Sequence, residues 1–94
     1  MVVSVEDFKD FLKIQFDEED AVVEQLLLES QAAAEDFCRV EFSESAPTPV
    51  KLAVQLMAAH YFENRDNPDK QSYTAMRMAF ENLLYPHRNL DLMF

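Results

Sequence analysis

An all-α fold follows from three features of the sequence. Glycine is absent, apolar residues recur at helical spacing in four segments, and short stretches rich in Ser, Asp, Asn and Pro separate those segments. Hairpin-rich β architecture needs residues that accept positive φ at its tight turns, which a chain of 94 residues without glycine supplies poorly. The architecture read from these features is a compact bundle of about four helices around a central helix at residues 49–66. Short polar loops join the helices, and an extended tail follows. At this length residues 1–94 make a single domain with one modest core.

The first helix opens at Ser4, whose hydroxyl and the Asp7 carboxylate three residues on resemble a capping box, with Val3 placed to staple against Phe8. Val5, Phe8, Phe11 and Leu12 give its inward face. The run Asp17-Glu18-Glu19-Asp20 then supplies a cap and three acids for the first turn of a longer helix, where the macrodipole favours negative charge. That helix carries Val23, Leu26, Leu27, Ser30, Ala33, Ala34, Phe37 and Cys38 on one side. Its small central residues permit close approach of the central helix, which has Ala53, Ala58 and Ala59 of its own.

Phe42 to Pro47 form the most evident loop. The central helix starts with Thr48 as cap and Pro49 in the first turn, where a fixed φ is favourable and no donor is needed. Val50, Ala53, Val54, Met57 and Tyr61 follow one face and Leu52, Leu56 and Ala59 a second, so this helix is covered on most sides. Pro68 marks the next break and Ser72 caps a last helix with Met76, Ala79, Phe80, Leu83 and Leu84 inward, ended by Pro86. Beyond it Leu90, Leu92 and Phe94 alternate with Asp91 and Met93, a period suited to an extended segment. Two destinations are open for this tail: its own core, or a groove on another subunit or protein.

Composition excludes several classes. Apolar residues make up 49% of the chain, which rules out a disordered protein, and the uncharged apolar runs fall far short of the roughly 20 residues of a membrane span. Met1-Val2-Val3 leads straight into Ser4 and Glu6, which predicts no export signal and a cytoplasmic origin. The net charge of −10 lies entirely in the first half: residues 1–46 hold thirteen acids against Lys9, Lys13 and Arg39, whereas residues 47–94 balance five acids with five bases. Such a surface repels phosphate backbones, so sequence-specific nucleic-acid binding is not expected. It suits a solvated face, or a passage through which DNA slides without sticking.

No constellation points to catalysis, a cofactor, a metal or a small-molecule substrate. His60 and Glu63 are neighbours on one helix face but lack a third ligand, which favours a hydrogen-bonded histidine beside packed aromatics over a metal site. The acidic run at 17–20 has neither the ligand spacing nor the turn glycine of an EF-hand. Cys38 reads as a buried, inert thiol, with Glu35, Asp36 and Glu41 nearby to raise its pKa.

Several segments together resemble a known family: Phe11-Leu12-Lys13-Ile14, the acidic run 17–20, Pro49-Val50-Lys51-Leu52-Ala53-Val54, His60-Tyr61-Phe62-Glu63-Asn64-Arg65-Asp66, and Leu83-Leu84-Tyr85-Pro86-His87-Arg88. The pattern is similar to the small all-helical head-tail connector proteins of long-tailed bacteriophages and prophages, over nearly the whole chain. Two positions depart from it: His87 stands where the family usually has Tyr, and Cys38-Arg39-Val40 where a glycine often follows the second helix. The resemblance implies a structural, non-enzymatic protein that takes part in virion assembly and DNA packaging. It would form a ring of copies of itself between the portal protein and the tail-completion or neck proteins, surrounding the DNA passage. Its place would be the virion neck, after assembly in the host bacterial cytoplasm. Glu63, Asn64, Arg65, Arg88, Leu90, Leu92 and Phe94 are the interface residues expected on this reading, with Glu63 and Arg65 tying the helix end to the 86–88 segment or to an adjacent subunit. The alternative is a small acidic interaction protein that mimics DNA or inhibits a DNA-binding partner. It draws on the charge of residues 1–46 alone.

Overall fold

The computed structural model describes residues 1–66 and 69–88, and over these it contains four α-helices and no strand. They are α1 (Val5–Leu12), α2 (Asp20–Cys38), α3 (Thr48–Glu63) and α4 (Lys70–Leu84), followed by a 3₁₀ turn at Tyr85–His87. The expectations placed on Pro68 and on Leu90, Leu92 and Phe94 lie outside the described residues.

Helix α3 is the centre, packed extensively against both α2 and α4, while α2 and α4 touch each other far less. Its apolar character on several sides explains this position: Val50, Ala53, Val54, Met57, Ala58 and Ala59 are all buried. The small residues Ser30 and Ala34 of α2 are fully buried as well, leaving room for α3 to approach. Phe8, Phe80, Leu27 and Leu84 complete the core from the other three helices. Leu52 departs from the expected second stripe and is 40% exposed, so α3 keeps one open edge.

The helix ends show how local signals compete with tertiary ones. Ser4 caps α1 as expected, its Oγ accepting the Asp7 N–H at 3.0 Å. Phe11, expected inward, is exposed, because the buried stripe of α1 is centred between Phe8 and Leu12 and takes in the Lys9 stem instead. The 17–20 acids do not cap α2: its N-cap is Glu19, without a side-chain bond, and only Asp20 lies in the first turn. Asp17, Glu19 and Asp20 are engaged elsewhere, with Lys9 and Arg65.

Thr48 likewise is no cap. It is the first helical residue of α3, and the Pro47 carbonyl accepts from Val50 and Lys51, the amide assigned to the Thr48 hydroxyl. Pro47, with its extended ψ of 149°, takes the cap position and leaves Pro49 in the first turn, where a missing donor costs nothing. The far end comes three residues earlier than expected. Both the backbone N–H and Nδ2 of Asn64 donate to the His60 carbonyl, closing the helix at Glu63. Helix α4 is capped by Asp69 rather than Ser72: Oδ1 accepts from the Gln71 N–H at 3.2 Å and Oδ2 from the Ser72 hydroxyl at 2.7 Å. A carboxylate is the stronger acceptor, so Ser72 is recruited as its donor inside the first turn.

Two helices end in the left-handed region on residues with a Cβ, Lys13 at φ 59° and Arg39 at φ 58°. Arg39 therefore adopts the conformation for which glycine is the usual choice, its N–H bonding the Glu35 carbonyl at 2.8 Å. The loop after α2 keeps the glycine-like turn without the glycine.

Candidate functional site

The end of α3 is held by an ion-pair lock that joins it to the α1–α2 connection. Arg65 pairs with Glu19, Nη2 donating to Oε1 at 2.9 Å and Nη1 lying 2.7 Å from Oε2. The guanidinium also lies 4.4 Å from the centroid of the Phe62 ring, and Phe62 packs edge-on against Phe8 of α1. Beside this, Lys9 of α1 bridges Asp17 and Asp20, so the segment leading into α2 is fastened both to α1 and to the end of α3. The hydrogen bonds that Lys9 donates, to Asp17 first and Asp20 second, raise its pKa above the ordinary value.

On the other side of α3, His60, Tyr61 and Tyr73 form an aromatic cluster with ring centroids 5.8 to 6.3 Å apart. Asn64 Nδ2 stands 3.5 Å from His60 Nδ1, matching a histidine held beside packed aromatics. Burial first, then the neighbouring Tyr73 phenol, pushes the Tyr61 pKa up. The cluster walls a cavity of about 580 Å³ rimmed by Arg65, Asp69 and Lys70. Among the described residues no group of three or more His, Cys, Asp or Glu side chains is placed to hold a metal ion, and no helix is long and apolar enough to cross a membrane.

The described interface candidates do not converge. Glu63 is exposed at the end of α3, Asn64 closes that helix, and Arg65 is committed to Glu19 in the same chain rather than to the 86–88 segment. Arg88 lies beyond the far end of α4, its guanidinium 5.1 Å from the Phe37 ring centroid and 4.9 Å from that of Tyr85. The fifteen residues of α4 hold the two groups roughly 20 Å apart. Cys38 is fully buried there, its thiol 3.6 Å from the Leu84 carbonyl. Its pKa is raised by burial, with Arg88 opposing, and not by the acidic neighbours invoked from the sequence.

One polar hub had no sequence reading. Gln31 accepts the Val2 N–H at 2.9 Å and donates to Glu35 and to the Phe42 carbonyl, while Glu35 takes the Phe42 N–H at 2.9 Å. The N-terminal segment and the loop after α2 are thus both tied to one turn of α2. The only sequence trace is the i,i+4 spacing of Gln31 and Glu35, which names no distant partner.

A family model described as phage gp6-like head-tail connector protein matches residues 2–88, nearly the whole chain. The chain belongs to this head-tail connector family. A search of curated proteins and a search of solved structures each found no match. The role of this connector is that of a phage structural protein.

Proposed function

We propose that this connector assembles with copies of itself as a ring between the portal vertex and the tail, and that packaged DNA passes through the ring. The observation that carries the reading is the family match across residues 2–88. The charge distribution supports it. With every unit of net negative charge in residues 1–46 and exposed acids at Glu6, Asp7, Asp10 and Asp36, the first half of the molecule offers DNA a surface to which it does not adhere. The partners on this reading are the portal protein on one side and tail-completion or neck proteins on the other, and the work is mechanical rather than catalytic.

Mass measurement and negative-stain imaging across a concentration series, with and without portal rings, test it. Ring-shaped particles, alone or seated on portal, are the expected outcome. A protein that stays monomeric throughout and does not bind portal rings overturns the proposal.

A further inference from the structure

Two helices carry an uncharged stripe on their outer side, and the two stripes match. On α2, Ala21, Gln25, Leu28 and Ala32 are all exposed and follow the i, i+4, i+7, i+11 spacing of a coiled-coil seam. On α4, Ala75, Met78, Asn82 and, in the turn that follows, Tyr85 share one outward face and are also exposed. Met78 at 62% and Tyr85 at 61% are the most exposed large apolar side chains among the described residues. Each stripe is turned away from the buried side of its own helix, which is Val23, Leu27, Ser30 and Ala34 on α2 and Met76, Phe80 and Leu84 on α4.

Charge sets the pairing. Beside its stripe α2 carries the exposed acids Glu24, Glu29 and Asp36 and no base, its other two acids, Asp20 and Glu35, being turned to Lys9 and to the Phe42 N–H. Helix α4 carries Lys70 close to Ala75 and Met78, while its Arg77 and Glu81 neutralise each other in an ion pair at 2.8 Å. Two α2 stripes brought together would repel, whereas α4 on α2 sets Lys70 and an internally neutralised ion pair against acids around an uncharged seam.

We infer that the outer stripe of α4 in one copy docks on the outer stripe of α2 in a second copy of this chain, head to tail. The inference rests on the self-assembly proposed above. Because α3 lies between α2 and α4, the junction continues the order α2, α3, α4 from one copy into the next. A contact between two different surfaces propagates and closes into a ring when the rotation per copy permits, whereas a contact of one surface with itself stops at a dimer.

Leu28→Asp and Met78→Asp, both at exposed positions, test the junction in the full-length chain by native mass spectrometry at a concentration where the unaltered protein assembles. Each variant alone is expected to associate at least about tenfold more weakly, since a carboxylate enters a desolvated seam. Mixed, they are expected to give one-to-one dimers and nothing larger, because one α4 stripe and one α2 stripe remain intact between them. Assembly of both single variants like the unaltered protein overturns the junction and leaves self-assembly standing, as does a mixture that stays monomeric. An unaltered protein that is monomeric at millimolar concentration and on portal rings overturns self-assembly and the junction with it.

Discussion

Replacing Arg39 by glycine is expected to stabilise the fold, although it deletes a side chain. Arg39 ends α2 at φ 58° and ψ 40°, where a Cβ crowds the backbone. Holding an L-residue with a Cβ in this region costs ~1–2 kcal/mol. Glycine removes that cost but gains freedom in the unfolded chain, which offsets ~0.4–1 kcal/mol of it. The cation is also lost from the C-terminus of a helix whose last turn has no other base, a further ~0.3 kcal/mol. Arg39→Ala separates these terms, because it loses the charge and keeps the Cβ. Arg39→Gly is therefore expected to exceed Arg39→Ala by about 1 kcal/mol, or about 4–8 °C in Tm for a domain of this size. Urea and thermal unfolding of the three proteins, with equal m-values, give the comparison. A glycine variant no more stable than the alanine variant would refute the reasoning and place Arg39 outside the left-handed region in solution.

Ser30 is fully buried and its hydroxyl has no hydrogen-bond partner among the described residues, so Ser30→Ala is expected to stabilise by ~1 kcal/mol in the same unfolding assay, and a loss of stability would reveal a partner for the hydroxyl. Thr48→Ala is expected to change stability by less than about 0.5 kcal/mol, because the Pro47 carbonyl and not the Thr48 hydroxyl serves the first turn of α3; a drop of ~1 kcal/mol would restore Thr48 as the cap. The Ser72 hydroxyl first, and the Gln71 N–H second, hold the Asp69 carboxyl below the usual carboxylate range. Its contribution is therefore present above the unfolded carboxylate pKa of about 4 and is lost as pH falls through the lower folded value. A Tm-versus-pH series should show that acid-side fall reduced in Asp69→Asn, and identical profiles would remove Asp69 as the cap.

The helices and most of their inward faces were legible because each depends on neighbours in sequence, although Phe11, Leu52 and Ala79, expected inward, are exposed. The 3.6-residue period of Val23, Leu27, Ser30 and Ala34, or of Met76, Phe80 and Leu84, states which side of a helix avoids water before any partner is known. The Ser4 cap was legible for the same reason, since donor and acceptor are three residues apart. Legibility failed where a residue had a choice. The acids at 17–20 suit a helix start, yet Asp17 and Asp20 bind Lys9 and Glu19 binds Arg65, which is 46 residues away.

The sequence by itself determined an all-helical chain, the order of its helices, the faces they bury and the concentration of negative charge in the first half. These are properties of local periodicity, composition and the absence of glycine, and they hold however the helices are arranged. Only the tertiary structure decided that α3 sits between α2 and α4, that Arg65 closes onto Glu19, that Lys13 and Arg39 take left-handed turns, and that the uncharged sides of α2 and α4 face outward. Each of these depends on distances between segments far apart in the chain. Those distances are set when buried surfaces pack together, and helical spacing carries no information about them.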